Sequence, residues 1–252
     1  MMDNRVSESP YAGKAFSILG DSISTLEGYN PDGYNLYYYG TNSWIVRVLK
    51  PLDTWWGKVI DRLGGRLLVN DSWSGSRVTR IPYYDEQFPS GCCDERTGGL
   101  HVGDALPDVI IVYLGTNDWG FGARPDMTRE EYYDGDEDIA SGITDTVFSE
   151  AYAMMLGKLR RNYPEAEIWC CTLGTTFIPG RPDFVFPPVC EGVHVETFND
   201  IIRQAVEDEG GNVRLIDFYG FHTPYSSVDG THPDADGMES LADMAVRSML
   251  GG

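Results

Sequence analysis

The chain has 252 residues, 42% of them hydrophobic and 12% aromatic, which excludes an intrinsically disordered protein and allows a sizeable core in one large α/β domain or two small ones. Its 39 acidic residues against 19 basic ones leave a formal net charge of −20. Such a surface repels phosphate backbones and anionic headgroups; it argues against nucleic-acid or membrane partners, and against polyanionic substrates such as acyl-CoA unless a local basic patch intervenes.

Residues Met1 to Lys14 are polar and lack a signal-peptide core, so positions 1–13 are expected to form a flexible N-terminus. The apolar run Ala15-Phe16-Ser17-Ile18-Leu19 predicts a first strand, ending abruptly in Gly20-Asp21-Ser22-Ile23. A serine released at that point can serve as a nucleophile, given a partner imidazole, or simply cap the next helix. It is not the Gly-x-Ser-x-Gly elbow of other hydrolases, because position 24 is serine. An insertion from Tyr29 to Asp53 follows, carrying Tyr29, Tyr34, Tyr37, Tyr38, Tyr39 and Trp44. These rings suit sugar stacking or an acyl pocket, and equally suit packing of the loop onto the domain.

Trp55, Trp56, Val59, Ile60 and Leu63 predict a helix, and Arg66 to Val69 a second strand. Beyond it stands Asn70-Asp71-Ser72-Trp73-Ser74-Gly75, whose glycine can offer a backbone N–H to a developing oxyanion or merely make a turn. After a second insertion, Arg80 to Leu106, the run Asp108 to Leu114 predicts the third strand; its strongly apolar part, Val109 to Leu114, is far too short to span a bilayer. Gly115-Thr116-Asn117-Asp118 follows, where Asn117 is either an amide donor or a turn asparagine. Trp119 and Phe121, directly after it, are candidate walls of a substrate site.

The third insertion, Trp119 to Ile143, contains Asp134-Gly135-Asp136-Glu137-Asp138. Its alternating carboxylates suggest a calcium loop, but Ile139 stands where an EF-hand needs glycine, so a solvated acidic loop is the reading. No histidine or cysteine spacing marks a zinc site, and no metal is expected. Val147, Ala151, Met155 and Leu159 predict a helix, Glu167 to Leu173 the fourth strand, and Val195, Phe198, Ile201, Ile202, Ala205 and Val206 another helix closed by Gly210-Gly211. Val213 to Phe218 predicts the fifth strand, and Met238, Leu241, Ala242, Ala245 and Met249 the last helix. The five cysteines, Cys92, Cys93, Cys170, Cys171 and Cys190, are odd in number and include two adjacent pairs. That is a poor disulfide framework; Cys170 and Cys171 read as core, and a reduced, cytoplasmic protein is expected.

Between the fifth strand and the last helix lies Asp229-Gly230-Thr231-His232-Pro233. A three-residue step lets Asp229 turn back to Nδ1 of His232, leaving Nε2 for a serine. Asp217 with His222 is a conceivable competing pair, whereas His101 and His194 lack an Asp-x-x-His context. Strands alternating with helices indicate a doubly wound α/β protein whose parallel sheet is covered on both faces. Ser22, Gly75 and Asn117 each follow the carboxyl end of a strand, the edge where such sheets bind ligands.

Taken in order, the Ser22, Gly75, Asn117 and Asp229–His232 blocks resemble the GDSL (SGNH) family of serine esterases and lipases over nearly the whole chain. One departure is Ile23, where the name motif has leucine. The resemblance implies a flavodoxin-like three-layer α/β/α sandwich, one domain over 1–252, with a five-stranded parallel sheet in the order 2-1-3-4-5. It implies that Ser22, Asp229 and His232 are catalytic, and that the oxyanion hole is made by the Ser22 and Gly75 N–H groups and the Asn117 amide. The expected function is hydrolysis through an acyl-enzyme, without cofactor, of short acyl esters such as acetyl on a carbohydrate or small alcohol. A lysophospholipase, thioesterase or acyltransferase on the same scaffold is the alternative, and a non-catalytic binding domain has no need of a serine–histidine pair.

Overall fold

Strands β1 (Ala15–Gly20), β2 (Arg66–Ser72), β3 (Val109–Tyr113), β4 (Glu167–Cys171) and β5 (Val213–Ile216) form the central sheet. In the computed structural model, which describes residues 9–81, 89–126 and 144–251, they pair in the order β2-β1-β3-β4-β5, and every pair is parallel. The expected order is therefore observed. β1 and β3 are buried at every position, which explains why their Ile, Val and Leu run continuously instead of alternating. β2 extends past its apolar part through Asn70, Asp71 and Ser72, all buried, because polar partners described below satisfy them.

Seven helices connect or cover the strands among the described residues: α1 (Gly40–Val46), α2 (Trp55–Leu63), α3 (Asp94–Gly98), α4 (Thr116–Gly120), α5 (Phe148–Asn162), α6 (Val195–Glu209) and α7 (Ala235–Met249). α2 packs on α7, while α5 packs on α3 and α6, giving the two helical layers of the sandwich. α2 starts where the Thr54 side chain accepts the Gly57 N–H, and it buries Trp55, Trp56, Val59, Ile60 and Leu63. α7 starts at Asp234, which accepts the Asp236 and Gly237 N–H groups.

The buried apolar side chains form one continuous cluster, in which Trp55 stands edge-on to Tyr113 and Phe218 at centroid distances of 5.7 and 6.2 Å. Each aliphatic or phenyl side chain sealed there contributes roughly 1.5–3 kcal/mol. Residues 9–13, part of the expected flexible N-terminus, are held to the domain because Tyr11 buries its ring 6.0 Å from that of Phe16 and Gly13 donates to the Gly64 carbonyl. All five cysteines are free thiols, with Cys170 and Cys171 buried in β4. No described helix is long and apolar enough to cross a membrane. The acidic run 134–138 lies outside the described residues; among those described, no group of His, Cys, Asp or Glu side chains is placed to hold a metal ion.

Candidate active site

The turn after β1 is shaped by crowding. Gly20 sits in register between Ser72 of β2 and Tyr113 of β3, and a Cβ there would lie 2.8 Å from Ser72 Oγ and 2.9 Å from Ser24 Cβ. Glycine alone lets the chain leave the sheet at this point. Asp21 then caps a 3-10 turn, Ser22–Ser24, by accepting the Ile23 N–H at 3.0 Å, so the capping role open to Ser22 belongs to its neighbour. The turn is braced at Ser24, whose hydroxyl accepts from Trp55 Nε1 and whose carbonyl accepts from Trp56 Nε1 and Asn70 Nδ2.

Burial pushes the Asp21 carboxyl up to about 7, against the pull of the Ile23 N–H. A free aspartate titrates near 3.8, so the fold retains a proton that the unfolded chain gives up. This contribution to stability is present below that lower value and is lost as pH rises through about 7. Asp21→Asn keeps an oxygen for the Ile23 N–H and cannot ionise. Its melting temperature relative to wild type is therefore expected to climb between about pH 4 and pH 7. A difference that stays constant over that range contradicts a raised carboxyl.

Ser22, 5% exposed, places Oγ 2.8 Å from Nε2 of His232, and Nδ1 of His232 lies 2.8 Å from Asp229 Oδ2. The other carboxylate oxygen, Oδ1, accepts the Thr231 and His232 N–H groups at 3.0 and 2.9 Å. Burial alone would raise the Asp229 carboxyl, but the hydrogen bonds from the His232 ring and backbone outweigh it and hold the group far below the usual carboxylate range. The loop carrying this pair is fastened along its length. The Gly230, Thr231 and Pro233 carbonyls accept from the Thr176, Tyr225 and Tyr38 hydroxyls at 2.7, 2.8 and 2.8 Å.

Because β1 lies between β2 and β3, the segments that follow those two strands flank Ser22. Gly75, at φ 84°, closes the first of them. The N–H groups of Ser22 and Gly75 find no acceptor among the described residues. Asn117 lies in the first turn of α4 and donates one amide hydrogen to the Ser76 carbonyl at 2.8 Å, leaving the other with only a 3.5 Å contact to Asp21. Asp118 is buried beside it and accepts from the Val78 N–H, the Thr79 N–H and the Thr79 hydroxyl, which ties the Gly75 segment to α4.

Beneath all of this lies Arg96, fully buried, which sequence reasoning missed. Its guanidinium donates to Asp71 Oδ1 at 2.7 Å, to the Ser76 hydroxyl at 2.8 Å, and to the carbonyls of Gly20, Asp71 and Pro89. All five of its N–H donors are thus used, the condition under which a buried charge is tolerated.

The remaining candidates fall elsewhere. Asp217 is ion-paired with Arg203 and accepts from Thr172, while His222 is exposed and makes no bond to it, so no second acid–base pair forms there. His101 is exposed with Nδ1 against the Gly103 carbonyl, and His194 caps α6. Trp119 is buried, bonded through Nε1 to the Val193 carbonyl and stacked on Phe186. Phe121 is 66% exposed beneath the Arg77 guanidinium and lines neither of two cavities formed by residues next to Asn117, His232 and Gly75 in the chain. One of those cavities, about 500 Å³ and open, is lined by Glu27, Tyr34, Asn35, Tyr39, Ser74 and Gly75. The other, about 20 Å³, is bounded by Thr116, Trp119, Leu173, Phe186, Tyr225 and Thr231.

A doubly wound sheet with a serine, an imidazole and a carboxylate in one hydrogen-bonded row at its carboxyl edge defines a hydrolase of the α/β class. A family model, GDSL-like lipase/acylhydrolase, matches residues 14–175, and the chain belongs to that family of esterases and lipases. Two solved structures assigned as GDSL-like lipases resemble it over nearly their whole length. The one from Bacteroides ovatus is 25% identical, with a TM-score of 0.65 over 96% of this chain and 100% of its own. The one from Bacteroides uniformis is 26% identical, with a TM-score of 0.63 over 95% and 97%. The fold is also shared with a family two carbohydrate esterase from Clostridium thermocellum, solved with cellohexaose, at 18% identity and a TM-score of 0.58 over 96% of this chain and 66% of that one. Among curated proteins, none matches the chain.

Proposed function

We propose that the protein hydrolyses short acyl esters, acetyl foremost, of a carbohydrate or other small alcohol through an acyl-enzyme on Ser22. The row from Ser22 Oγ to His232 to Asp229, with contacts of 2.8 and 2.8 Å, carries this reading. Ser22 Oγ attacks the ester carbonyl as its proton passes to His232 Nε2, and Asp229 holds the imidazolium through Nδ1. The Ser22 and Gly75 N–H groups and the uncommitted Asn117 hydrogen receive the oxyanion. Collapse of the tetrahedral centre breaks the bond to the leaving oxygen, which takes the proton from Nε2. Water then repeats the attack on the acyl-enzyme and releases the carboxylic acid. None of these steps draws on a metal or organic cofactor.

The two cavities support the choice of substrate. About 20 Å³ beside Thr231 and Thr116 is room for a group the size of a methyl, bounded by Trp119, Leu173, Phe186 and Val195 together with Thr176 and Tyr225. The open cavity next to Gly75 is lined by Tyr34 and Tyr39 together with Glu27 and Asn35, a lining suited to a hydroxylated ring. The free thiols support a reducing, cytoplasmic compartment, and the net charge of −20 supports small, uncharged substrates over nucleic acid or lipid surfaces.

Nitrophenyl esters of increasing chain length test the acyl choice. kcat/KM is expected to fall by about tenfold or more from acetyl to octanoyl, because a longer chain must displace packed side chains. A profile that rises with length would instead place the protein with lysophospholipases or thioesterases.

A further inference from the structure

We infer that Tyr37 is a positioning residue for the His232–Asp229 pair, an assignment that rests on the acyl-enzyme reading above. Its ring lies parallel to the imidazole of His232, with centroids 3.4 Å apart and planes 7° apart. Its hydroxyl donates to Asp229 Oδ2 at 3.1 Å, the oxygen that also meets His232 Nδ1. One side chain therefore covers a face of the base and grips the carboxylate that orients it.

An imidazole held only through its two nitrogens can still rock about the line joining them. A flat ring in van der Waals contact removes that freedom on one side. As Nε2 takes the serine proton the imidazole becomes a cation, and an aromatic face attracts a cation more than a neutral ring. The contact therefore strengthens as the reaction proceeds, the condition for raising turnover instead of binding. The hydroxyl draws some charge from Asp229 and so weakens its hold on Nδ1. In exchange, it completes the carboxylate's four acceptor positions together with the ring and the Thr231 and His232 N–H groups, which fixes its orientation.

Tyr37 is itself held in place. Its N–H donates to Thr25 Oγ1 at 2.9 Å, and that hydroxyl donates to the Ser22 carbonyl at 3.0 Å. Asn42 donates to the Tyr37 carbonyl, and Tyr38 stands edge-on at 4.9 Å while bonding to Pro233. Burial, helped by the Asp229 charge, pushes the Tyr37 phenol well above its ordinary value, so it remains a donor. The nucleophile's turn and the base's loop are thus linked through this tyrosine.

The test compares Tyr37→Phe, which keeps the flat ring, with Tyr37→Leu, which does not. Three quantities are read: the rate of Ser22 labelling by a fluorophosphonate, kcat and KM on an acetyl ester, and the downfield proton NMR signal of His232 Nδ1–H. The leucine variant is expected to lose about 10- to 30-fold in labelling and kcat, with KM within about twofold. Its downfield signal should broaden into exchange. The phenylalanine variant should recover most of the rate and keep the signal. If the leucine variant does not fold, Tyr37→Met is read in its place with the same expectation. Wild-type labelling in the leucine variant, equal losses in both variants, or a loss confined to KM overturns the assignment alone. Absence of labelling at Ser22 in the wild type overturns the acyl-enzyme reading and the assignment with it.

Discussion

Ser22→Ala is expected to lower ester turnover by about a thousandfold or more, while its melting temperature and circular dichroism stay near wild type. The substitution removes the oxygen that lies 2.8 Å from His232 Nε2, and the hydroxyls of Ser24 and Ser76 are engaged elsewhere. Ser24 Oγ is committed to Trp55 Nε1 and fully buried; Ser76 Oγ accepts from Arg96. The turn itself survives, because Asp21 caps it and Ser24 braces it, neither of which involves the Ser22 side chain. The residual rate should be that of water attacking an ester held against the remaining N–H donors. Near-wild-type turnover in a folded Ser22→Ala protein would remove Ser22 as the nucleophile, and Ser24, Ser74 and Ser76 would be the next to replace.

Asn117→Ala is expected to reduce kcat by about 100- to 1000-fold with little change in KM. The amide hydrogen not bonded to Ser76 meets full negative charge only in the tetrahedral state, so its loss raises the barrier and leaves the ground state alone. A second effect runs in the same direction. The Ser76 carbonyl loses its 2.8 Å partner, which loosens the segment bearing Gly75. If KM rises while turnover holds, Asn117 binds substrate instead of the oxyanion.

Much of the fold was legible from apolar runs. β1, β3 and β4 lie within a residue or two of their expected bounds, because continuous Val, Ile and Leu leave little choice for a strand buried on both faces. β2 runs three residues further than its hydrophobicity suggests, to Ser72. Asn70, Asp71 and Ser72 look like loop residues; their burial rests on Arg96, Asn30 and the Ser24 carbonyl, all distant in sequence, and on the Ser72 hydroxyl donating to Asn70. At the site, Ser22 and His232 were found from motif order and spacing, and the structure brings them together with Asp229. Arg96 was not legible: preceded by Asp94 and Glu95, it reads as an ordinary surface charge. Tyr37 was one of several tyrosines in the same insertion, and nothing local separates it from Tyr39, which is 54% exposed.

The buried Arg96 has a bearing on how the enzyme fails when heated. It holds the end of β1, the carboxylate and carbonyl of Asp71, the Ser76 hydroxyl and the Pro89 carbonyl at once. Peeling away any one of these segments strands part of a buried cation, at a cost on the order of 3–5 kcal/mol. Active-site loops in many enzymes open locally, well before the core does. Here Arg96 ties the segments around Ser22 and Gly75 to the sheet, so thermal inactivation is expected to coincide with global unfolding, and activity lost while the circular dichroism is still native contradicts that tie.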